Sequence, residues 1–324
     1  LSPLHKIGDQ LVETVLLHEK MSKAAARELA LTWLGKVRGN STAEMDKRPY
    51  RLRFYKDEKD AAGNVTTSHK HDLLGYGYSK RNWTILNNMR DGSLMQNAIT
   101  YHIGQALGMP FCPGYKFVDL VINGEYRGNY MLSDHVELGK NRIDINEDTG
   151  WFVESTRHDM WEEPYFHDAA LYVLIKNPES KTAEGTAEIK NMIRRYFVNV
   201  NRTLFGINAS AYDDETFCDP YVGWRSVFDE ETLVKLYIGI NLTGDYDGLM
   251  QVKMYREPNG KMHFGPLWDK DLAFGVQGGS SFAEGDGTNY GADEFSNYIK
   301  KIKNNDPVFI KKVRDKLHEM IDNG

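Results

Sequence analysis

Cysteine, long apolar runs and surplus basic charge are all scarce in this sequence of 324 residues. Only Cys112 and Cys218 are present, which are too few for a disulfide scaffold and too far apart for a Cys-x-x-Cys site. No apolar run reaches the roughly 18 residues that a membrane-spanning helix needs, so the sequence predicts no transmembrane segment. The net charge of −6 argues against nucleic-acid binding, because nucleic-acid-binding proteins usually carry an excess of lysine and arginine.

Several common catalytic motifs are also missing. The sequence contains neither a G-x-x-x-x-G-K-[ST] loop nor a G-x-S-x-G nucleophile elbow. The run Gly75-Tyr76-Gly77 lacks the third glycine of a dinucleotide-binding fingerprint. These absences exclude the P-loop, serine-hydrolase and dehydrogenase classes that depend on those motifs.

The length of the chain predicts more than one compact unit, because 324 residues exceed what a single small core usually serves. Apolar residues from about Asp9 to Leu34 recur at helical spacing, so residues 1–35 are predicted as an N-terminal helical extension, with a turn from Lys36 to Thr42. The sequence begins at Leu1 without an initiator methionine, and we expect an upstream segment such as a signal peptide.

A small antiparallel sheet with one helix is predicted between residues 36 and 135. Tyr50–Phe54 alternates apolar and basic residues as a strand does when one of its faces is buried. Asn123-Gly124, between the apolar runs 117–122 and 126–132, is a strong hairpin signal. A helical pattern covers 94–107. This layout is typical of a lobe that holds a nucleotide.

The predicted pattern of secondary structure changes after about residue 136, and residues 136–324 are predicted as a second lobe. Short strands are expected at Trp151–Glu154 and Leu171–Lys176, and helices at Ala183–Asn199 and Glu230–Leu242. Asp229 is placed to cap the second of these helices.

A predicted hairpin brings distant carboxylates together in this second lobe. Strands are expected at Gln251–Tyr255 and Met262–Trp268, with a turn between them. Asp247 precedes the turn by about as many residues as Asp269 follows it. Because antiparallel strands pair across the turn, we expect both carboxylates at the open end of one hairpin.

Asp269 and Asp271, on either side of Lys270, are candidate metal ligands. Mg²⁺ typically binds one or two protein carboxylates together with phosphate oxygens and water. An Asp-Lys-Asp triplet alone is more typical of a solvated loop with local ion pairs. The apolar runs 264–268 and 272–274 on either side favour a functional site, because carboxylates held between buried segments are more often functional.

A series of motifs follows one another along residues 36–275: the RGNST run Arg38–Thr42, Lys47–Phe54, Asp91–Asn97, Asn123–Tyr126, Gly139–Arg142, Leu242–Gly244 and Phe264–Gly275. In their order and composition these motifs resemble the CotH family of spore-coat and bacterial-surface kinases. Glu154 and Lys176 also stand where this family has similar residues, and ion pairing at strand ends explains them equally well.

The resemblance implies an α+β, bilobed, divergent protein-kinase-like fold. Its small antiparallel-sheet N-lobe would be residues 36–135, and its larger, mostly helical C-lobe residues 136–324. It further implies transfer of phosphate from ATP, with Mg²⁺ or Mn²⁺, to Ser or Thr of a partner protein. A protein of this family is expected to be secreted, on the cell surface or in the spore coat.

Roles for individual residues follow from the same resemblance. Asp247 would accept or orient the proton of the substrate hydroxyl, and Asp269 and Asp271 would hold the metal, with Gln251 as a further metal ligand. The remaining residues would bind the phosphates of the nucleotide through backbone amides, hydroxyls and positive charge; they are Arg38, Gly39, Asn40, Ser41, Thr42, Lys47, Arg51 and Arg53.

Departures from the family pattern leave alternatives open. Val252 stands where many members have a polar residue five positions after the catalytic aspartate, Lys270 where an aromatic is usual, and Gln96 where a basic residue is common. These changes suit a pseudokinase or a non-catalytic surface module that binds a nucleotide or a partner. A third reading is a glycan hydrolase that uses a carboxylate pair drawn from Asp245, Asp247, Asp269 and Asp271.

Overall fold

The structure, a computed structural model, describes residues 33–37, 45–54, 58–59, 65–67, 70–122, 124–156, 164–168, 171–206, 214–245, 248–249, 251–275 and 294–323. These residues form a mixed α/β protein with two five-stranded antiparallel sheets, a two-stranded sheet and six α-helices. The chain divides into two compact units. The first unit comprises residues 1–92 and 113–135, and the second comprises residues 93–112 and 136–324.

The first unit is built on a five-stranded sheet with the order β1-β2-β5-β7-β6. Every neighbouring pair in this sheet is antiparallel. The strands of the unit are β1 (Trp33–Val37), β2 (Tyr50–Phe54), β3 (Glu58–Lys59), β4 (Val65–Thr67), β5 (Asn82–Leu86), β6 (Tyr115–Ile122) and β7 (Glu125–Asp134), of which β3 and β4 pair separately. The predicted hairpin around Asn123-Gly124 is confirmed as β6 and β7.

Strand β2 buries one face, as its alternating pattern predicts. Tyr50, Leu52 and Phe54 pack on a small core, and the intervening Arg51 and Arg53 project from the other face of the strand. The other buried members of this core are Leu74, Trp83, Ile85, Tyr130 and Leu132. Strand β2 therefore combines a buried anchor with two guanidinium groups on its opposite face.

The N-terminal prediction is wrong where the structure can test it. Trp33–Val37 forms β1 and pairs with β2, Trp33 lying opposite Phe54 and Val37 opposite Tyr50. The helix expected to continue to Leu34 and the turn expected from Lys36 are replaced by a strand. Backbone pairing along β2 overrides the local helical spacing, because strand formation depends on neighbours that the local pattern does not contain. Residues 1–32 of the predicted extension lie outside the described residues.

The second unit contains all six described helices and a second five-stranded antiparallel sheet with the order β12-β11-β8-β10-β9. Its strands are β8 (Trp151–Thr156), β9 (Tyr165–Asp168), β10 (Leu171–Asn177), β11 (Lys253–Arg256) and β12 (His263–Phe264). Its helices are α1 (Gln96–Ala106), α2 (Ala183–Phe205), α3 (Asp214–Cys218), α4 (Glu230–Thr243), α5 (Glu294–Asn305) and α6 (Pro307–Asn323). The short 3₁₀ turn Trp224–Ser226 precedes α4.

Two features of this unit differ from the sequence prediction. Helix α1 was expected in the first lobe, whereas residues 93–112 belong to the second unit. The second unit, predicted to be mostly helical, also contains a sheet that joins strands distant in sequence, since β11 pairs with β8 across about a hundred residues. No local pattern specifies such a pairing.

The core of the second unit lies between its sheet and its helices. Val153, Val173 and Met254 are fully buried on one face of the sheet. Helix α2 packs on β9, where Phe166 meets Phe197 with ring centroids 5.8 Å apart. Helix α4 packs on β12 and begins as predicted, because Asp229 accepts a 2.8 Å hydrogen bond from the Thr232 amide. The end of α4 and the end of β12 lead into the candidate site.

Candidate functional site

The run Trp268–Asp271, here called the acidic segment, is held by backbone and ring contacts to two helices. The amide of Lys270 donates a 2.8 Å hydrogen bond to Oδ1 of Asn97 in α1. The Trp268 ring stacks on Tyr101 of the same helix, with centroids 6.2 Å apart and planes inclined by 13°. Beyond the segment, the Phe274 amide donates a 2.6 Å bond to the carbonyl of Thr243 at the end of α4. The segment is thus held on both sides.

The residue before the segment lies against helix α4 with no space between them. A Cβ atom placed on Gly239 of α4 would lie 2.6 Å from Cδ1 of Leu267. Leu267 is itself buried, with 2% of its surface exposed. Only a glycine at position 239 allows this approach, so the absence of a side chain there fixes how close Leu267 lies to the helix.

Lys270 turns inward and forms a buried ion pair with Asp245. The side chains are 4% and 0% exposed, and the Lys270 Nζ contacts Oδ2 of Asp245. Buried charges are tolerated only when they are paired, so each of these groups depends on the other. The pair joins the loop after α4 to the acidic segment.

Asp269 and Asp271 differ from Lys270 because both are only partly buried. Asp269 has a backbone φ of +59°, in the left-handed region that non-glycine residues rarely occupy. Such a conformation persists only where the surroundings enforce it, and it is often found at functional sites. The structure therefore brings Asp269 and Asp271 to one constrained segment, with the lysine between them directed into the interior.

Glu154, Lys253 and Lys176 form a second charged cluster on the sheet. Lys253 on β11 lies directly opposite Glu154 on β8, and its Nζ is 2.8 Å from Oε1 of Glu154. Lys176 lies at the register shift in β10, between Ile175 and Asn177, and its Nζ is 3.4 Å from Oε2 of Glu154. Burial favours the protonated acid, but the two lysines outweigh it and hold the pKa of Glu154 at about 2. The predicted ion pairing of Glu154 and Lys176 is confirmed.

Lys253 connects this cluster to the acidic segment. Its carbonyl accepts a 2.9 Å bond from the Gly265 amide, and its Nζ lies 5.9 Å from the centre of the Trp268 ring. Burial lowers the pKa of Lys253, whereas the negative charges of Glu154 and Asp269 oppose that change. Glu154 and Asp269 therefore both favour the charged form of Lys253.

The other predicted residues of this unit are only partly testable. Gln251 is half-buried, two residues before β11, while Val252 is 1% exposed and its amide donates a 2.8 Å bond to Oγ of Ser155. Asp247 lies outside the described residues, so its proximity to Asp269 stays a prediction. The hairpin on which that prediction rests is confirmed in part: β11 and β12 pair with Met254 opposite Phe264, but β12 ends at Phe264 and does not continue to Trp268 as predicted.

A metal site composed of three or more His, Cys, Asp or Glu side chains is not found within the ranges that the structure describes. The metal prediction therefore rests on Asp269 and Asp271, with other oxygen donors such as the amide of Gln251. In the same described ranges, no helix has the length and apolar character required to cross a membrane.

The predicted phosphate-binding residues belong to the first unit. Arg38–Thr42 lie outside the described residues. Lys47 places its Nζ 4.8 Å from the centre of the Tyr130 ring, and its carbonyl accepts a 2.6 Å bond from Nδ2 of Asn87. Burial lowers the pKa of Lys47. Arg51 and Arg53 lie on β2, on the face turned away from the core of that unit.

A comparison with known protein families matches residues 36–324 to the family described as CotH kinase protein. The chain belongs to the CotH kinase family. The match continues well beyond residue 275, where the recognisable motifs of the sequence end, and includes α5 and α6. A search of curated proteins finds no match to the chain.

The structure identifies contacts at the site that sequence reasoning missed. Asn97, Lys253 and the inward direction of Lys270 had no local signal, because each depends on a contact between distant parts of the chain. The structure also removes Asp245 from the candidate acids of a glycan hydrolase. Asp245 is buried and neutralised by Lys270, so it is not available to solvent or to a substrate as an acid or base.

Proposed function

We propose that this chain is an atypical protein kinase of the CotH family that transfers phosphate from ATP to Ser or Thr of a partner protein, with Mg²⁺ or Mn²⁺. The two units would correspond to the lobes of a divergent protein-kinase-like fold. The observation that carries the proposal is the acidic segment, in which Lys270 is neutralised internally while Asp269 and Asp271 stay partly exposed. Secretion, or a place at the cell surface or in the spore coat, belongs to the same proposal and is supported by the family alone.

The available donors fit a hard divalent cation. Two carboxylates and an amide, from Asp269, Asp271 and Gln251, supply oxygen atoms, which Mg²⁺ prefers while it keeps several waters. When bound, such a cation neutralises charge on the phosphate that is transferred. The protein must hold its ligands still, and the contacts to Asn97 and Tyr101 restrict the acidic segment in this way.

The remaining steps require phosphate-binding cations and a proton acceptor. Arg51 and Arg53 offer guanidinium groups that bind phosphate oxygens with fixed geometry, and Lys47 offers an ammonium group. Backbone amides of Gly39–Thr42 would add further donors. The carboxylate of Asp247 would accept the proton of the acceptor hydroxyl or orient that hydroxyl toward the phosphate.

A nucleotide-binding protein without transfer activity is the second candidate. One observation favours it: the side chain of Val252 belongs to the core and supplies no metal ligand. The departure from the family pattern at Lys270 is a weaker argument against transfer, because Lys270 is buried and Asp245 neutralises its charge. Gln251, next to Val252, would have to supply any additional oxygen.

Transfer of label from γ-³²P-ATP, combined with thermal unfolding, tests the proposal. Mg²⁺ or Mn²⁺ with a nucleotide should raise the melting temperature, because a ligand that binds only the folded state stabilises it. Asp269→Ala and Asp271→Ala should each remove most of the metal-dependent rise. Asp247→Asn should keep nucleotide binding and lower the transfer rate by about 10²–10⁴. Asp322→Asn, at an exposed position in α6, is the matched control.

Each outcome separates the candidates. Nucleotide binding without transfer in the wild type would favour the non-catalytic protein. A melting temperature that does not respond to millimolar nucleotide and metal would refute both candidates. Metal-dependent transfer that survives Asp269→Ala would refute the assignment of the metal to the acidic segment.

A further inference from the structure

We propose that Asp245 is a positioning residue for the metal site, which orients Asp269 and Asp271 through its buried ion pair with Lys270. This inference rests on the proposed function, since it assumes that Asp269 and Asp271 bind the divalent cation. Asp245 acts through Lys270 and is not itself a ligand, because its side chain is completely buried. The pair thus receives a role in metal affinity that goes beyond the stability of the fold.

The position of Asp245 is fixed at the end of helix α4. Gly244 ends the helix in the left-handed conformation, with a φ of +53°, and Asp245 follows directly. The carbonyl of Asp245 accepts a 3.2 Å hydrogen bond from the amide of Gly248. A Cβ atom placed on Gly248 would lie 3.0 Å from Oδ2 of Asp245 and 2.7 Å from Cγ2 of Ile240, so Gly248 packs closely against both. The carboxylate of Asp245 therefore has little room to move.

Lys270 is held at three points, of which Asp245 is one. Its amide donates a 2.8 Å hydrogen bond to Oδ1 of Asn97, and its carbonyl accepts a 3.3 Å bond from the amide of Ala273. Its ammonium group contacts Oδ2 of Asp245, in a side chain that is 4% exposed. The first two bonds fix the backbone of Lys270, and the ion pair fixes its side chain.

The two candidate ligands are bonded directly to this fixed residue. Consecutive Cα atoms are about 3.8 Å apart across a planar peptide, so the placement of Lys270 limits where Asp269 and Asp271 can lie. Asp269 also has a φ of +59°, and such a conformation persists only while the surroundings enforce it. The ion pair contributes to that constraint, because it prevents the side chain of Lys270 from turning. Loss of the pair should therefore let Asp269 relax and move its carboxylate.

A positioning pair and a purely structural pair have different effects on metal binding. Removing a group that orients metal ligands typically weakens the metal affinity about 10–100-fold, although every ligand is still present. Removing a purely structural pair weakens metal binding only as far as the fold is lost. The two roles can be separated here, because Asp245→Asn/Lys270→Met removes both charges and leaves neither of them buried without a partner.

This double variant provides the test. Electron paramagnetic resonance of free Mn²⁺, with MnCl₂ alone as the titrant, should show an affinity at least about tenfold weaker than that of the wild type. Urea unfolding of the same variant should show a transition close to that of the wild type. Lys311→Met/Asp315→Asn removes the exposed pair of α6 in the same way and should change neither measurement.

Gly248→Ala covers the case in which the double variant does not fold. The added methyl group would press on Oδ2 of Asp245 and on Ile240 without changing any charge. The affinity for Mn²⁺ should again fall several-fold, because the partner of Lys270 is displaced. Circular dichroism establishes which variants are folded.

The results distinguish failure of this inference from failure of the proposed function. A folded double variant or a folded Gly248→Ala with the Mn²⁺ affinity of the wild type would overturn the role of Asp245 only. A loss of affinity that merely follows the loss of folded protein would also overturn it, because it indicates a purely structural pair. A wild type whose Mn²⁺ binding is absent, or is unchanged by Asp269→Ala, would overturn the proposed function, and this inference with it.

Discussion

Replacing Lys270 by methionine should destabilise the second unit strongly, although the residue lies between two candidate metal ligands. The substitution removes the cationic partner of Asp245, whose side chain is completely buried. Breaking a buried ion pair by removing one partner costs about 3–5 kcal/mol, because the remaining charge is left in a medium that solvates it poorly. For a unit of this size, that loss lowers the melting temperature by roughly 6–20 °C.

A double-mutant cycle measures the coupling directly. Asp245→Asn/Lys270→Met removes both charges together, and its free energy of unfolding should lie within about 1 kcal/mol of the wild type. Urea unfolding followed by circular dichroism gives the values for the single and double variants. Lys311→Met is the control, because Lys311 and Asp315 form an exposed pair on α6 with side chains 73% and 58% exposed. That substitution should change stability by less than about 0.5 kcal/mol.

The reasoning would be refuted by either of two results. The first is a free energy of unfolding for Lys270→Met within about 1 kcal/mol of the wild-type value, since loss of a partner from a buried pair must cost more than that. The second is a double variant that is as unstable as Lys270→Met, because the cost would then come from lost packing of the lysine side chain and not from the unpaired charge.

Other predictions concern the groups that hold the site. The pKa of Glu154 is lowered from 4.5 to about 2, so its ion pairs contribute stability that is fully present above about pH 4.5 and is lost as the pH falls toward 2. The loss should reach roughly 3 kcal/mol in urea unfolding at successive pH values, and it should be absent in Glu154→Gln. Asn97→Ala removes the acceptor for the Lys270 amide; it should cost about 1–2 kcal/mol and reduce the metal-dependent rise in melting temperature, with the exposed Gln105→Ala as control. Asp229→Ala should destabilise by about 1–2 kcal/mol through loss of the α4 cap, whereas Asp229→Asn should retain much of that stability in the same assay.

Elements with a local signal could be predicted from the sequence. The alternation in Tyr50–Phe54 reflects a strand with one buried face, and the Asn-Gly pair at 123–124 predicts a hairpin, which the pairing of β6 with β7 confirms. Helix α4 is announced by Asp229, which satisfies an amide that the helix itself leaves unpaired. In each case the residues that determine the structure are neighbours in the sequence.

The contacts that make the site were not predictable, because they join residues far apart in the sequence. Lys253 and Glu154 are separated by 99 positions, and the Lys270 amide reaches Asn97 across 173 positions. The apolar runs around Asp269 and Asp271 indicated a site, but they could not show which way Lys270 points. That direction depends on Asp245, whose buried carboxylate requires a cation.

The geometry of the site depends on the absence of a side chain at Gly239, a residue that contributes no charge to it. In the middle of an exposed helix, replacing glycine by alanine usually adds about 1 kcal/mol of stability. In α4 the added methyl group would meet Leu267 at 2.6 Å, and Leu267 is directly followed by Trp268. Because Gly239 has no side chain, it sets the short distance between α4 and the chain that carries Asp269. The substitution Gly239→Ala would therefore displace the carboxylates of Asp269 and Asp271 without changing any charged residue of the site.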